Sequence, residues 1–412
     1  MPPHEVVIVG AGMAGLTCAV ELVRRGVDVV VLESSDAVGG RIRTDRVDGM
    51  LLDRGFQLLN PAYPALAGLV DLEALELRQF GAGVVVAMDG RRSVLADPRR
   101  SPADLVGALD TSTGSLLEKA RAAAYITQTA LGTGHRIKRR PDQSYGAVLD
   151  AAGVTGDLRR KVLNPFLAGV LGEDNQESSR VFVDYQLRMF ARGTPGLPAA
   201  GMQALPDQLA AALPLGSIML GVHATSMSER KVTTSRGVWT GSAVVVATGG
   251  PAASALTGMP EPRTRSLTTF YHRTEHSPAS RPMLHVDGDR GGPVVNTAVV
   301  SDAAPTYCRD GALVATTTLG VRHDEASVDA VERQLAQIYG VPTSAWERVA
   351  TYAIPEALPA MLPPLRLRQE VRVGEGLYVA GDHRDTASIQ GAIVSGRRAA
   401  AAVAADLGIR RE

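Results

Sequence analysis

Six residues near the amino terminus, Gly10-Ala11-Gly12-Met13-Ala14-Gly15, have the GxGxxG spacing of a loop that cradles phosphates. Gly10 permits the tight turn, Gly12 lets backbone approach a pyrophosphate, and Gly15 lets a helix pack closely on a strand. Glu33 lies 18 positions after Gly15, followed by Ser34, where a carboxylate can accept hydrogen bonds from a ribose diol. An adenosine ribose occurs in both FAD and NAD, so Glu33 does not separate them. The next turn, Asp36-Ala37-Val38-Gly39-Gly40-Arg41, adds a second flexible glycine pair and a guanidinium able to neutralise pyrophosphate charge. That addition suits a cofactor with a longer body.

These residues need particular elements to hold them. Residues 5–9, Glu-Val-Val-Ile-Val, read as a buried strand. Leu16–Arg25 reads as a helix closed by Gly26, and Val27–Leu32 as a second strand, giving a βαβ unit. Residues 76–95 suggest a hairpin, and Arg99–Pro102 a boundary. The pattern is mainly helical from Pro102 to about Arg192, and Gly193–Gly201 is a loop by composition. A helix is expected over Met202–Leu213, then short strands at Ser217–Leu220, His223–Ser228, Lys231–Thr234 and Ala243–Thr248. Residues 265–320 are strand-like and Ser327–Tyr339 helical. Gly376–Ala380 reads as a short buried strand and Ile389–Leu407 as an Ala-rich helix. After that last strand, Asp382 can accept hydrogen bonds from hydroxyls or join a phosphate-side network, and the helix opening near Ile389–Ala392 presents a positive dipole end.

Composition limits the alternatives. The 412 residues carry 43 Lys+Arg and 43 Asp+Glu, a formal net charge of zero that argues against a dedicated nucleic-acid binder. With 45% hydrophobic and 21% charged residues the chain is globular, of two or three domains. Two distant cysteines, Cys18 and Cys308, exclude a disulfide scaffold and a cysteine metal site, and no metal site is expected at His272, His276 and His285. No signal peptide or good transmembrane segment is visible, so the expectation is a cytoplasmic protein.

Val7–Leu16, then Glu33, then Gly39-Gly40-Arg41 resemble the flavin-dependent amine oxidoreductase superfamily, which includes amine oxidases, protoporphyrinogen oxidases and phytoene-desaturase-type enzymes. Leu52-Asp53-Arg54-Gly55-Phe56-Gln57 resembles its turn past the flavin, Gly376–Asp382 its closing Gly-Asp motif, and Ser388-Ile389-Gln390-Gly391-Ala392 the helix start that follows. The resemblance is strong over roughly 1–60 and 370–405 and thin between. It implies an α/β fold: a discontinuous, Rossmann-like FAD-binding domain plus an α+β substrate domain with a helical half. Residues 1–75, 196–255 and 350–412 are expected to form the FAD domain around one parallel sheet, and 76–195 with 256–349 the substrate domain. The implied cofactor is non-covalent FAD, held by Gly10, Gly12, Met13, Ala14, Gly15, Glu33, Ser34, Gly40, Arg41, Gly55, Phe56, Gln57, Gly381, Asp382, Gln390 and Ala392. Val222 is expected to hydrogen-bond the adenine through its backbone.

The implied activity is removal of hydride from a mainly apolar small molecule to flavin N5. No second GxGxxG in a βαβ context follows, so the expected electron acceptor is oxygen, a quinone or another small carrier. The last lysine is Lys231. The resembling amine oxidases commonly hold a later lysine near N5, so its absence favours the porphyrinogen-oxidase and desaturase branches over an amine oxidase. A protein with structural or redox-neutral FAD, an isomerase or assembly partner, is the alternative of another class. No catalytic base is assigned. Phe56, Gln57, Phe166 and Tyr185 are the candidate cavity residues, and Asn164–Val170 and Gly193–Gly201 resemble stretches lining a long apolar cavity. The one basic run, His135–Arg140, could dock peripherally on anionic lipid or be a solvated loop.

Overall fold

The computed structural model describes residues 4–97, 100–101, 107, 109–228 and 230–409, so Arg99 and Pro102 of the expected boundary lie outside the described residues. The chain opens with strand β1 (His4–Val9), helix α1 (Met13–Val23) and strand β2 (Val29–Leu32). The strands are β-branched and fully buried at their centres, as the apolar runs require. Hairpin β3 (Thr44–Val47) and β4 (Met50–Asp53) follows, then β5 (Arg78–Gln79) and the expected hairpin β6 (Gly83–Met88) and β7 (Arg91–Ala96).

The helical segment comprises α2 (Leu116–Leu131), α3 (Gly134–Arg139), α4 (Tyr145–Ala151), a π-helical turn over Leu158–Leu163, α5 (Asn164–Leu171) and α6 (Arg180–Arg192). Side chains of Ser115, Thr133, Ser144 and Ser179 cap α2, α3, α4 and α6 in turn. The Gly/Pro-rich loop at 193–201 contains one short strand, β8 (Gly196–Leu197), paired with β5.

Helix α7 (Ala204–Ala211) leads to β9 (Ile218–Met219), β10 (Ala224–Ser228), β11 (Lys231–Thr234), β12 (Gly237–Val246) and α8 (Gly250–Thr257). Then come β13 (Thr264–Thr274), β14 (Leu284–Asp287), β15 (Val294–Val299), α9 (Val300–Ala303), β16 (Ala312–Leu319), α10 (Glu325–Tyr339) and β17 (Glu347–Pro359). The chain closes with β18 (Arg372–Gly374), β19 (Leu377–Val379) and α11 (Ile389–Asp406).

Two large sheets organise these elements. In the first, β9, β2, β1, β12 and β19 run parallel, so residues 377–379 share a sheet with residues 4–9. The expected single parallel sheet is in fact mixed, because β10, β11 and β18 pair antiparallel at its edges. The second sheet has the order β17-β13-β16-β15-β14-β6-β7 and is antiparallel except between β14 and β6. Strand β17 pairs with β13 along its length, so residues 350–359, grouped by sequence with the first sheet, sit in the second.

Helices α1 and α11 lie against each other on the first sheet, and their approach is set by one glycine. A Cβ at Gly396 would stand 2.3 Å from the Ala14 carbonyl oxygen and 3.0 Å from Thr17 Cβ. No side chain fits there without the helices parting. Gly396→Leu is expected to destabilise the chain by about 3 kcal/mol, seen as a lower denaturation midpoint. An unchanged midpoint would show that this helix contact does not bear on stability.

Candidate functional site

The amino-terminal loop is built from glycines with different duties. Gly10 has φ +104°, and a Cβ there would lie 2.8 Å from the Ala247 carbonyl oxygen. At Gly15 a Cβ would come within 1.9 Å of the Gly10 carbonyl oxygen. Both are therefore locked by their own backbone. Gly12 differs: a Cβ there would meet nothing within 4 Å. Gly12 caps α1 without a side-chain hydrogen bond, so the free N–H end of α1 opens onto that space, with Met13 and Ala14 buried behind it. The second glycine turn lies against the first. The Gly39 N–H donates to the Ala11 carbonyl, and a Cβ at Gly40 would be 3.4 Å from Gly12 Cα.

Glu33 joins the two loops. One carboxylate oxygen accepts from the Ala11 N–H at 2.8 Å, and the other from the Ser35 N–H and hydroxyl at 2.9 and 2.8 Å and, more weakly, from the Ser34 hydroxyl at 3.3 Å. Ser35 thus carries the stronger contacts to Glu33 and Ser34 the weaker one. The oxygen facing Ala11 has one donor and keeps a lone pair for a ribose hydroxyl.

Other expected residues take more specific roles. Arg41 donates to Asp382 at 2.6 Å and to the Ala357 carbonyl at 2.8 Å, so the two charged groups read separately from sequence face each other across 341 residues. Val222 donates its N–H to the Glu33 carbonyl at 2.8 Å, which leaves its carbonyl, and not its N–H, for an adenine edge. Gly381 donates to the Ser395 hydroxyl. The Gln390 amide oxygen accepts from the Ala65 N–H at 2.9 Å, tying α11 to the turn over Pro64–Leu66, while Ala392 bonds within the helix.

The turn after β4 is held from several sides. Gly55 has φ +107° and abuts Ile354. The Phe56 N–H donates to the Thr269 hydroxyl at 3.1 Å, and its ring stands edge-on to Phe80, centroids 6.3 Å apart. The Gln57 amide nitrogen donates to the Arg41 and Arg54 carbonyls at 2.6 and 3.2 Å. Its N–H groups are therefore spent on backbone, and only the amide oxygen remains for a ligand.

Below this turn lies Asp53, which sequence reading passed over as part of a motif. Its carboxylate accepts from the Thr44 hydroxyl at 2.5 Å, the Met202 N–H at 3.0 Å and the Tyr307 hydroxyl at 2.8 Å. Its carbonyl accepts from the Tyr271 hydroxyl at 2.9 Å. Burial pushes this carboxyl up to about 6. His383 was also missed. It is buried between Gly381 and Gly250, burial holds it down to about 4, and neither ring nitrogen has a hydrogen-bond partner among the described residues.

Two of the candidate cavity residues, Phe166 on α5 and Tyr185 on α6, lie in the helical half. Phe166 stacks edge-on against Phe190, and Tyr185 donates to the Gly134 carbonyl. Phe166 packs against the core cluster of the helical half and Phe56 against that of the first sheet. The Asn164–Val170 segment is not uniformly apolar in its packing. Gly169 abuts Asn296, and buried oxygens of Asn164, Asn296, Thr317 and Thr318 have no protein partner among the described residues. Among the described residues no group of acidic, histidine or cysteine side chains could hold a metal, and both cysteines are free.

A family model, "Flavin containing amine oxidoreductase", matches residues 13–404, and the chain belongs to that family. It is a flavoenzyme of the oxidoreductase class, and its cofactor is FAD. Putrescine oxidase of Kocuria rosea is 45% identical over 92 residues, 22% of this chain and 19% of that protein. Hydroxyneurosporene desaturase of Rubrivivax gelatinosus is 38% identical over 112 residues, 25% of this chain and 21% of that protein. The matches thus span about a fifth of these relatives' lengths. The crystal structure of a putative protoporphyrinogen oxidase from Exiguobacterium sp. 255-15 shares the fold, with TM-score 0.77 and 20% identity over 99% of this chain and all of that one.

The residues present fit a bound dinucleotide: an open space at Gly12, an uncapped helix end and a Glu33 oxygen with a spare lone pair. Gly12→Ala is expected to leave the denaturation midpoint near wild type, since the methyl meets no protein atom, but to weaken FAD binding at least about tenfold. Gly15→Ala should instead unfold the loop and lower the midpoint. Flavin fluorescence titration with thermal denaturation checks both, and full FAD affinity in Gly12→Ala would place the pyrophosphate elsewhere.

Proposed function

We propose that this flavoenzyme dehydrogenates a mainly apolar small molecule at the turn Gly55–Gln57, in the manner of the porphyrinogen-oxidase and desaturase branches. The observation that carries the reading is the make-up of that turn. Phe56, Phe80 and Ile354 surround it, and no lysine follows Lys231 to sit near the flavin, where the resembling amine oxidases commonly hold one. Non-covalent FAD, when bound, supplies the hydride acceptor at N5. Gly10, Gly12 and Gly15 shape its phosphate seat, Glu33 holds the ribose, and the Val222 carbonyl meets the adenine. Arg41 and Asp382 balance charge between the phosphate and ribityl regions, and the α11 amino terminus favours an anionic ring. The Gln57 carbonyl oxygen orients a donor group, while Phe56 excludes water from the reacting carbon.

The electron acceptor in this reading is oxygen, a quinone or another small carrier. The division into a discontinuous FAD domain and a substrate domain stands with it, the last boundary moved to the end of β17. We place the enzyme in the cytoplasm, a setting in which free Cys18 and Cys308 stay reduced. Peripheral membrane contact draws support from the basic α3 and from exposed Leu116, Leu117 and Leu131 on neighbouring α2. No helix among the described residues is long and apolar enough to cross a membrane. The likeness to putrescine oxidase keeps an amine substrate as the second reading.

Anaerobic mixing of the FAD-loaded protein with amines, porphyrinogens and polyenes decides between them. Bleaching by a porphyrinogen or polyene is expected; bleaching by amines alone would overturn the proposal, and bleaching by none would favour a redox-neutral role. Phe56→Ala and Gln57→Ala should retain FAD and slow stopped-flow reduction at least about tenfold. Wild-type rates in both variants would move the reacting carbon away from this turn.

A further inference from the structure

A second site lies apart from the glycine cradle. Between α3, the start of α6 and the segment 365–370 runs a groove of about 690 Å³. Lys138, Arg140, Arg366, Arg368 and Arg384 line it, against two carboxylates, Asp142 and Glu370. This is a marked local excess of positive charge in a chain whose formal net charge is zero. The sequence pattern that marked 135–140 as the one basic run is thus half of a built feature, its other half coming from a segment more than two hundred residues later.

Of the two lining carboxylates, Asp142 is engaged by the protein itself. Asp142 accepts from the Ser179 hydroxyl and the Leu365 N–H, at 2.7 and 2.6 Å, clipping the segment to the start of α6. Arg140 is shared with buried Asp184 at 3.3 Å. Arg384 is turned onto Gln369 and the Glu370 carbonyl, and its Nε is buried with no acceptor among the described residues. Lys138, Arg366 and Arg368 have no side-chain hydrogen bond or ion pair among the described residues, and all three are exposed.

The backbone is arranged to hold them there. Arg368 sits at φ +55°, a conformation an arginine adopts only when its surroundings impose it. Arg398 of α11 imposes it, donating to the Arg368 and Gln369 carbonyls at 3.1 and 2.7 Å. The crowding has an electrostatic signature: burial first, then the Arg368 and Arg398 charges, lower the Lys138 ammonium, with Asp385 opposing them. Cations that outnumber the carboxylates of a concave site match clustered oxyanion oxygens, with the arginine forks giving paired hydrogen bonds and lysine a point charge.

We propose that this groove binds a phosphate group carrying at least two negative charges, with Arg366, Arg368 and Lys138 as its ligands. The phosphate belongs either to a soluble compound or to a lipid headgroup. The probes are pyrophosphate, followed by calorimetry on the FAD-loaded protein, and vesicles of equal parts phosphatidylcholine and phosphatidic acid, followed by co-sedimentation. Saturable pyrophosphate binding is expected with a Kd of about 0.1 mM at low ionic strength. Arg366→Gln with Arg368→Gln should weaken it at least about tenfold, with flavin absorbance and denaturation midpoint unchanged. Lys138→Gln should weaken it less, and Arg46→Gln, on exposed β3, not at all. Vesicle binding that the same double variant abolishes identifies a headgroup; pyrophosphate binding without vesicle binding identifies a soluble ligand. Absence of both, or binding unaltered in the double variant, overturns the proposal. Because the readout is binding and not turnover, its outcome is separate from that of the substrate assignment.

Discussion

One buried carboxylate sets the relation between the two sheets. Asp53 ends β4, and its side chain gathers a hydroxyl from β3, a backbone N–H at the entry to α7 and the Tyr307 hydroxyl. Tyr271 of β13 closes on its carbonyl. Hairpin, helix and second sheet therefore meet on a single residue with every oxygen engaged. Breaking such a buried hub leaves several polar groups unpaired, each costing about 1–3 kcal/mol. Its functional meaning lies two residues on. Gly55 and Phe56 are fixed because the chain on one side is held by Asp53 and on the other by Thr269 and the Gln57 amide.

The cradle above that turn follows a different logic, in which backbone and not side chain supplies the fit. Gly10 and Gly15 are excluded from substitution by carbonyl oxygens of the chain itself, whereas Gly12 is bounded only by open space. Of three glycines in one motif, two are closed by the protein's own backbone and one faces the space that the proposed function assigns to the pyrophosphate. Glu33 spans both duties, since the same carboxylate that fixes the Ala11 and Ser35 N–H groups retains capacity for a ribose.

Local pattern made much of this legible. The β-branched run at 5–9, the glycine motif and the acidic residue after β2 specify a βαβ cradle with its ligand chemistry, and Lys231–Thr234 forms β11 with the bounds read from sequence. What escaped depends on partners distant in the chain. The Arg41–Asp382 pair, the Asp53 hub and the engagement of the Gln57 amide join residues whose proximity no local periodicity encodes. Strand β17 has the composition of either sheet, and its register against β13 alone assigns it to the second. Phe166 and Tyr185 were read as cavity candidates from the helical half, and their contacts with Phe190 and the Gly134 carbonyl are likewise tertiary partners that local pattern does not encode.

The parallel pairing of β12 with β19 also governs when the molecule can become itself. During synthesis β1, α1 and β2 emerge first, but the edge of β12 stays unpaired until residues 377–379 leave the ribosome, and α1 lacks its packing partner until α11 follows. At ordinary elongation rates that interval is on the order of ten seconds. Throughout it the nascent chain carries a hydrophobic strand edge and an unfinished dinucleotide seat. Cofactor capture is consequently a late event, and a truncated or stalled chain forfeits the seat and exposes the edge together.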